Sequence, residues 1–226
     1  MSEPLEGDGW KGAGEELGGF ETLAAELRQI MEAQNAAREQ ALRQCRETIR
    51  TAAVAIRAVH RMEFEEAESL LRAARQCVDA LHSALSTHPS LLAAGYVHDA
   101  EKEYVEAEVV HAIVRGREVP APAALGVGPA AYLNGLAEAG SECRRYVLDR
   151  LRAGATDEAD RVLRIMDDIY FELVTFDFPD AITGNLRRTT DAFRAVLERT
   201  RGDLTVALQQ RALEQALRAA GQKLDP

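Results

Sequence analysis

Lysine is nearly missing from this chain. Of 27 basic residues only Lys11, Lys102 and Lys223 are lysine, and 24 are arginine. Arginine is the better bidentate phosphate ligand. A GC-rich coding bias or adaptation to high salt produces the same skew, so the skew alone assigns no function. Aromatic residues are scarce as well, at 5 %. No apolar run reaches the roughly 18 residues that a spanning helix needs, so no membrane span is expected. The three cysteines, Cys45, Cys77 and Cys143, are far apart and show no CxxC or Cys/His spacing. That argues against a zinc site, and they read as small helix-packing residues in a reducing compartment. There is no P-loop, no GxGxxG and no GxSxG elbow. The net charge of −10 argues against indiscriminate nucleic-acid binding.

What remains is helical. Ala and Leu dominate the 226 residues, and long stretches repeat with a 3.6-residue period while few alternate as strands do. The acidic, glycine-rich residues 1–19 read as a flexible tail, unlike a signal peptide, and a cytoplasmic location is the default. Residues 20–226 read as one all-α domain of about seven helices. They are expected over about 20–61, 65–86, 91–115, 130–153 and 156–176, then from about 180 to a break at Gly202-Asp203, and on to about 220. The Pro/Gly-rich residues 116–129 read as a loop.

One helix raises a chemical question. EKEYVEAEVV, residues 101–110, holds four glutamates offset only by Lys102. On a helical wheel Glu101 and Glu108 lie on one side and read as solvated surface. Glu103 and Glu106 lie on the other side, in the stripe of Ala107, Val110, Ile113 and Val114, where an unpaired carboxylate is costly. A second pair, Glu138 and Glu142, shares a face in YLNGLAEAGSECRR, residues 132–145, opposite a stripe of Leu133, Leu136, Val147 and Leu151. By itself that face reads as solvated, with Arg145 pairing to Glu142 and Asp149. If the two pairs meet, four carboxylates surround one point and suit a hard divalent cation, Mg²⁺ or Mn²⁺, which assists phosphoryl chemistry. The spacing Glu108-Val-Val-His111 fits half of a di-iron ligand set, but no second Glu-x-x-His pair accompanies it.

The first helix carries Arg43, Arg46, Arg50, Arg57 and Arg61 within about 60° of one another, along roughly 27 Å. Two readings stand: a track for a nucleic-acid backbone, or a solvated face with pairs such as Glu39–Arg43 and Glu47–Arg50.

Four segments resemble the translin family, most closely its branch related to translin-associated factor X and its archaeal members: ALRQCRETIRTAAVAIRAVHR (41–61), EYVEA (103–107), YLNGLAEAGSE (132–142) and IYFELVTFDFPDAITGNLRRTTD (169–191). The likeness covers about residues 25–200. It implies a seven-helical protein that forms an oligomeric shell, typically a homo-octamer, around a cavity, with a translin-like paralogue as an alternative partner. The factor X branch is a metal-dependent endoribonuclease, whereas translin mainly binds nucleic acid. By resemblance Glu103, Glu106, Glu138 and Glu142 are the catalytic and metal-binding acids, with Mg²⁺ or Mn²⁺ as cofactor. Glu138 departs from the family, which usually has aspartate there. Arg43, Arg46, Arg50, Arg57, His60 and Arg61 are then expected to bind RNA, or single-stranded DNA, inside the cavity. The resemblance therefore implies an endoribonuclease, with a non-catalytic single-stranded nucleic-acid-binding protein of the same fold as the alternative.

Overall fold

A computed structural model describes residues 18–222, and within them the chain is helical with no strand. Most of the expected tail lies outside the described residues; Gly18 and Gly19 already belong to the first helix. In chain order the helices are α1 (Gly18–His60), α2 (Phe64–Leu85), α3 (Pro89–Leu92), α4 (Gly95–Val114), α5 (Pro122–Leu125), α6 (Pro129–Arg152), α7 (Thr156–Leu173), α8 (Asp180–Thr183) and α9 (Leu186–Gln222).

Six are long, and three are single turns opened by proline or set just after one. Pro89, Pro122 and Pro129 each stand in a first turn, where the missing N–H leaves no hydrogen bond unmade. The expected helix at 91–115 is divided at 93–94, and the expected loop at 116–129 contains α5. The break expected at Gly202-Asp203 does not occur: α9 runs through it, because an exposed glycine costs a helix only about 1 kcal/mol. The real interruption lies earlier. Gly184 and Asn185 both adopt left-handed φ, 61° and 65°, which ends α8 and re-aims the chain into α9.

The turn at 61–63 folds α2 back onto α1, and α4 packs against both of them and against α6. α6 in turn packs on α7 and α9. Two helices are therefore enclosed. α4 buries Val97, Ala100, Tyr104, Val105, Val109 and Ile113 among others, on nearly every side. α6 buries small residues, including Ala131, Gly135, Ala139 and Gly140. Of its expected apolar stripe Val147 is buried, whereas Leu133, Leu136 and Leu151 are half-buried against the core. Small side chains let two neighbours approach α6 at once. A Cβ on Gly135 would stand 2.7 Å from the Lys102 carbonyl oxygen of α4, and one on Gly140 would enter the Phe193 ring of α9. No described helix is long and apolar enough to cross a membrane.

Candidate functional site

The close approach at Gly135 sets the geometry of the acids. One turn beyond it on α6 stands Glu138, opposite the turn of α4 that carries Lys102, Glu103 and Glu106. One carboxylate oxygen from each of Glu103, Glu106 and Glu138 lies within 4.8 Å of the others, the one such group of three potential metal ligands among the described residues. Glu138 is thus at the contact of two helices and not on open surface, because the buried side of α6 is its small-residue side.

The three charges are crowded. Burial, then the charges of Glu103, Glu138 and Glu142, push Glu106 up to about 8. Burial and the Glu138 charge also push Glu103 up, against the pull of Lys102. Lys102 is the cation at this point. Its Nζ donates to Glu138 Oε1 at 2.9 Å and lies 3.7 Å from Glu103 Oε1. Burial disfavours the ammonium, but Glu138 and Glu103 outweigh it and raise its pKa.

Glu142, the fourth expected acid, stands apart from the group of three. Its Oε1 is 2.6 Å from His60 Nε2. The expected partner Arg145 does not reach it, and Asp149 pairs with Arg152. The His60 side chain is 1 % exposed, so it faces inward, apart from the exposed arginines with which it was expected to bind RNA. Its place at the end of α1 lets it reach across to α6.

Arg43, Arg46, Arg50, Arg57 and Arg61 are all exposed. Arg50 pairs with Glu47 as expected, and Arg61 pairs with Glu63 and Glu66. Glu39 pairs with Arg38 and not with Arg43. Arg43, Arg46 and Arg57 make no ion pair with a described residue, which leaves a row of free guanidinium groups along α1.

The outer pair on α4 departs from expectation. Glu101 is 8 % exposed; it meets His82 Nε2 at 2.6 Å and accepts the Gly128 N–H at 3.3 Å. Glu108 is half-buried, and burial raises its pKa. Neither is solvated surface, since α2 covers the side of α4 that a one-faced helix would leave to water. His111 is buried too, with Nε2 3.7 Å from Glu68, so no di-iron-like set forms around Glu108.

All-oxygen donors on two rigid helices suit a hard divalent cation, and burial together with the neighbouring carboxylates raises Glu106 despite Lys102. Lys102 and Gly135 had no role in the sequence reading. The scarcity of lysine was the available signal for the first; the second lay within the YLNGLAEAGSE segment of the resemblance, without a role assigned to it.

Known proteins are similar to this chain. No protein-family model matches the sequence. An uncharacterized protein of Methanocaldococcus jannaschii, MJ0175, is 31 % identical over 183 residues, 80 % of this chain and 81 % of that protein. AfC3PO, solved alone and in complex with duplex RNA, is 34 % identical, with TM-scores of 0.76 and 0.75 over 84 % of this chain and 98 % of that one. NeC3PO in its apo form has the same fold at 17 % identity, with a TM-score of 0.69 over 83 % of this chain and 96 % of its own. With the fold of these proteins, 34 % identity to AfC3PO over 84 % of this chain, and the EYVEA and YLNGLAEAGSE segments meeting at Glu103, Glu106 and Glu138, the chain belongs to the translin family.

Proposed function

We propose that this protein is a metal-dependent endoribonuclease of the branch related to translin-associated factor X. The observation that carries the reading is the meeting of Glu103, Glu106 and Glu138 from two helices. These three would hold Mg²⁺ or Mn²⁺, and Glu142, oriented by His60, adds negative charge beside them. A divalent ion there supplies Lewis-acid stabilisation to a phosphoryl oxygen and lowers the pKa of water. The chain's own residues do the rest. The helices fix the carboxylates before substrate arrives, and Arg43, Arg46 and Arg57 draw in the phosphate backbone. AfC3PO forms a complex with duplex RNA, which supports RNA as the substrate here. Exposed apolar side chains near the outer ends of α1 and α9 support assembly of several copies, with the octameric shell as the expected form.

One observation favours the alternative of nucleic-acid binding without cleavage: an ammonium already neutralises part of the acid cluster. A labelled RNA incubated with Mg²⁺ or Mn²⁺, and then with chelator, separates the two. Cleavage that needs the ion supports the nuclease. Glu106→Gln is nearly isosteric but a poor ligand for a hard cation. It should abolish cleavage while RNA binding is kept, since it removes a metal ligand and no contact to phosphate. Cleavage at the original rate by the purified variant would sink the catalytic assignment.

A further inference from the structure

The one lysine among the described residues stands in the acid cluster, in a chain whose other cations there are arginine and histidine. The two cations differ in what they can do at such a point. A guanidinium is a rigid fork that would fill the space between carboxylates. An ammonium is a compact charge on a flexible stem and can leave by rotating that stem. The Lys102 side chain is 19 % exposed, so it is neither sealed in nor free in solvent. It also lines a cleft of about 370 Å³, together with His98, Asp99, Glu138, Asn185 and Thr189, next to the α8–α9 turn. Lys102 thus stands where the acid cluster opens onto the cleft, with Glu138 shared by the two and Asp99 on the cleft wall. A divalent ion on Glu138 and an ammonium 2.9 Å from the same carboxylate repel strongly at such range. The two cations therefore weaken each other's hold on Glu138.

We propose that Lys102 is the exchangeable cation of this site: it holds Glu103 and Glu138 until a divalent ion takes those carboxylates, then turns into the adjoining cleft and binds a phosphate of the RNA. The proposal rests on the metal-dependent reading above. Lys102 keeps its proton in both positions and transfers nothing. Its two positions couple the ligands. An ion that displaces the ammonium makes it available to phosphate, and phosphate that captures the ammonium clears the carboxylates for the ion. By linkage each ligand tightens the other.

The test compares the full-length protein with Lys102→Met, which keeps an apolar stem of similar length, and Lys102→Gln, which keeps a donor without the charge. Calorimetric titration with Mn²⁺ is the first readout, and RNA cleavage at saturating Mn²⁺ the second. Both variants should bind Mn²⁺ about tenfold tighter or better, because a competing charge is gone. Both should cleave about tenfold more slowly or worse, because a phosphate contact is gone. Tighter metal with slower turnover is a signature that a merely structural lysine does not give. Without metal both variants should melt below the parent, and Mn²⁺ should restore them, which also reports that they fold. Lys102→Arg keeps the charge and should show no such tightening. Unchanged or weaker Mn²⁺ affinity in Lys102→Met and Lys102→Gln overturns the exchange, and unchanged turnover overturns the phosphate contact. A parent protein that binds no Mn²⁺ and cleaves no RNA removes the metal-dependent reading and this proposal together. A parent that does both, with variants that match it, removes only the role of Lys102.

Discussion

Burial and neighbouring carboxylates oppose the charge of Glu106, and this fixes how its contribution to stability depends on pH. Its pKa is near 8 in the folded protein, above the ordinary carboxylate value of 4.5. Between those values the folded chain keeps a proton that the unfolded chain releases. Stability therefore falls as pH rises through that window, and the stabilising difference is fully present only below about 4.5. Glu103, raised in the same direction, adds to the fall. Melting temperatures in chelator from pH 5 to 9 should decline for the parent protein. They should decline less for Glu106→Gln, which carries no charge to suppress. A parent curve that rises across this range would mean that the acids are not crowded as described. At this scale the sequence told part of the story. It placed Glu103 and Glu106 on the wrong side of an amphipathic helix and so flagged them. It could not tell that Glu142 would be taken by His60, because that pairing joins residues 82 apart in sequence and depends on where α1 ends.

The elements explain which expectations failed. Wheel arguments assume that a helix has one buried face. α4 and α6 violate this, since each is enclosed by several neighbours. Glu101 and Glu108 therefore read as surface and are not, and the Leu133/Leu136 stripe reads as core and is half-exposed. The contact that matters, Gly135 against the backbone of Lys102, leaves no trace in an apolar pattern. Gly135→Ala should destabilise the protein by roughly 1–3 kcal/mol, because the obstacle is a carbonyl and the Val105 side chain, not a flexible tip. It should also weaken Mn²⁺ binding at a temperature where the variant is fully folded, since separating α4 from α6 moves Glu138 from Glu103 and Glu106. Calorimetry that finds full Mn²⁺ affinity in a destabilised Gly135→Ala protein would detach the helix contact from the site. On α1 the sequence left two readings of the arginines, and the structure narrows them: Arg50 and Arg61 are paired, while Arg43, Arg46 and Arg57 pair with no described residue. Replacing those three with Gln should flatten the log–log salt dependence of RNA binding by about 0.7 per lost contact on a single strand and about 0.9 on a duplex. An unchanged slope would return the face to ordinary solvated surface.

On the scale of the whole molecule, both longest helices extend apolar side chains that no described residue covers. On α1, Phe20, Leu23, Leu27 and Ile30 are each more than half exposed, at the 3-4-3 spacing of a coiled-coil seam. On α9, Val206, Leu213 and Leu217 are also more than half exposed. The long reach of α1 was legible as an unbroken period. That its first turns are uncovered was not, because a periodic apolar stripe looks the same whether it faces its own chain or another. Helical extensions that bury no stripe gain little from propensity alone, and isolated helices of this kind are marginal in water. A second copy supplies the missing surface without a new partner, and closed symmetric assembly is the usual outcome for soluble proteins. Sedimentation of the purified protein should therefore give a mass several times 24.8 kDa. Replacing Leu23 and Leu27 together with Arg puts charges into that stripe and should shift the mass toward one chain. The melting temperature of the rest should change little, since both side chains lie outside the described cores. A double variant that keeps the parent mass would show that α1 does not form the contact. A parent that sediments as one chain at micromolar concentration would remove the shell, and with it the enclosed arginine face as the route by which an acidic protein holds RNA.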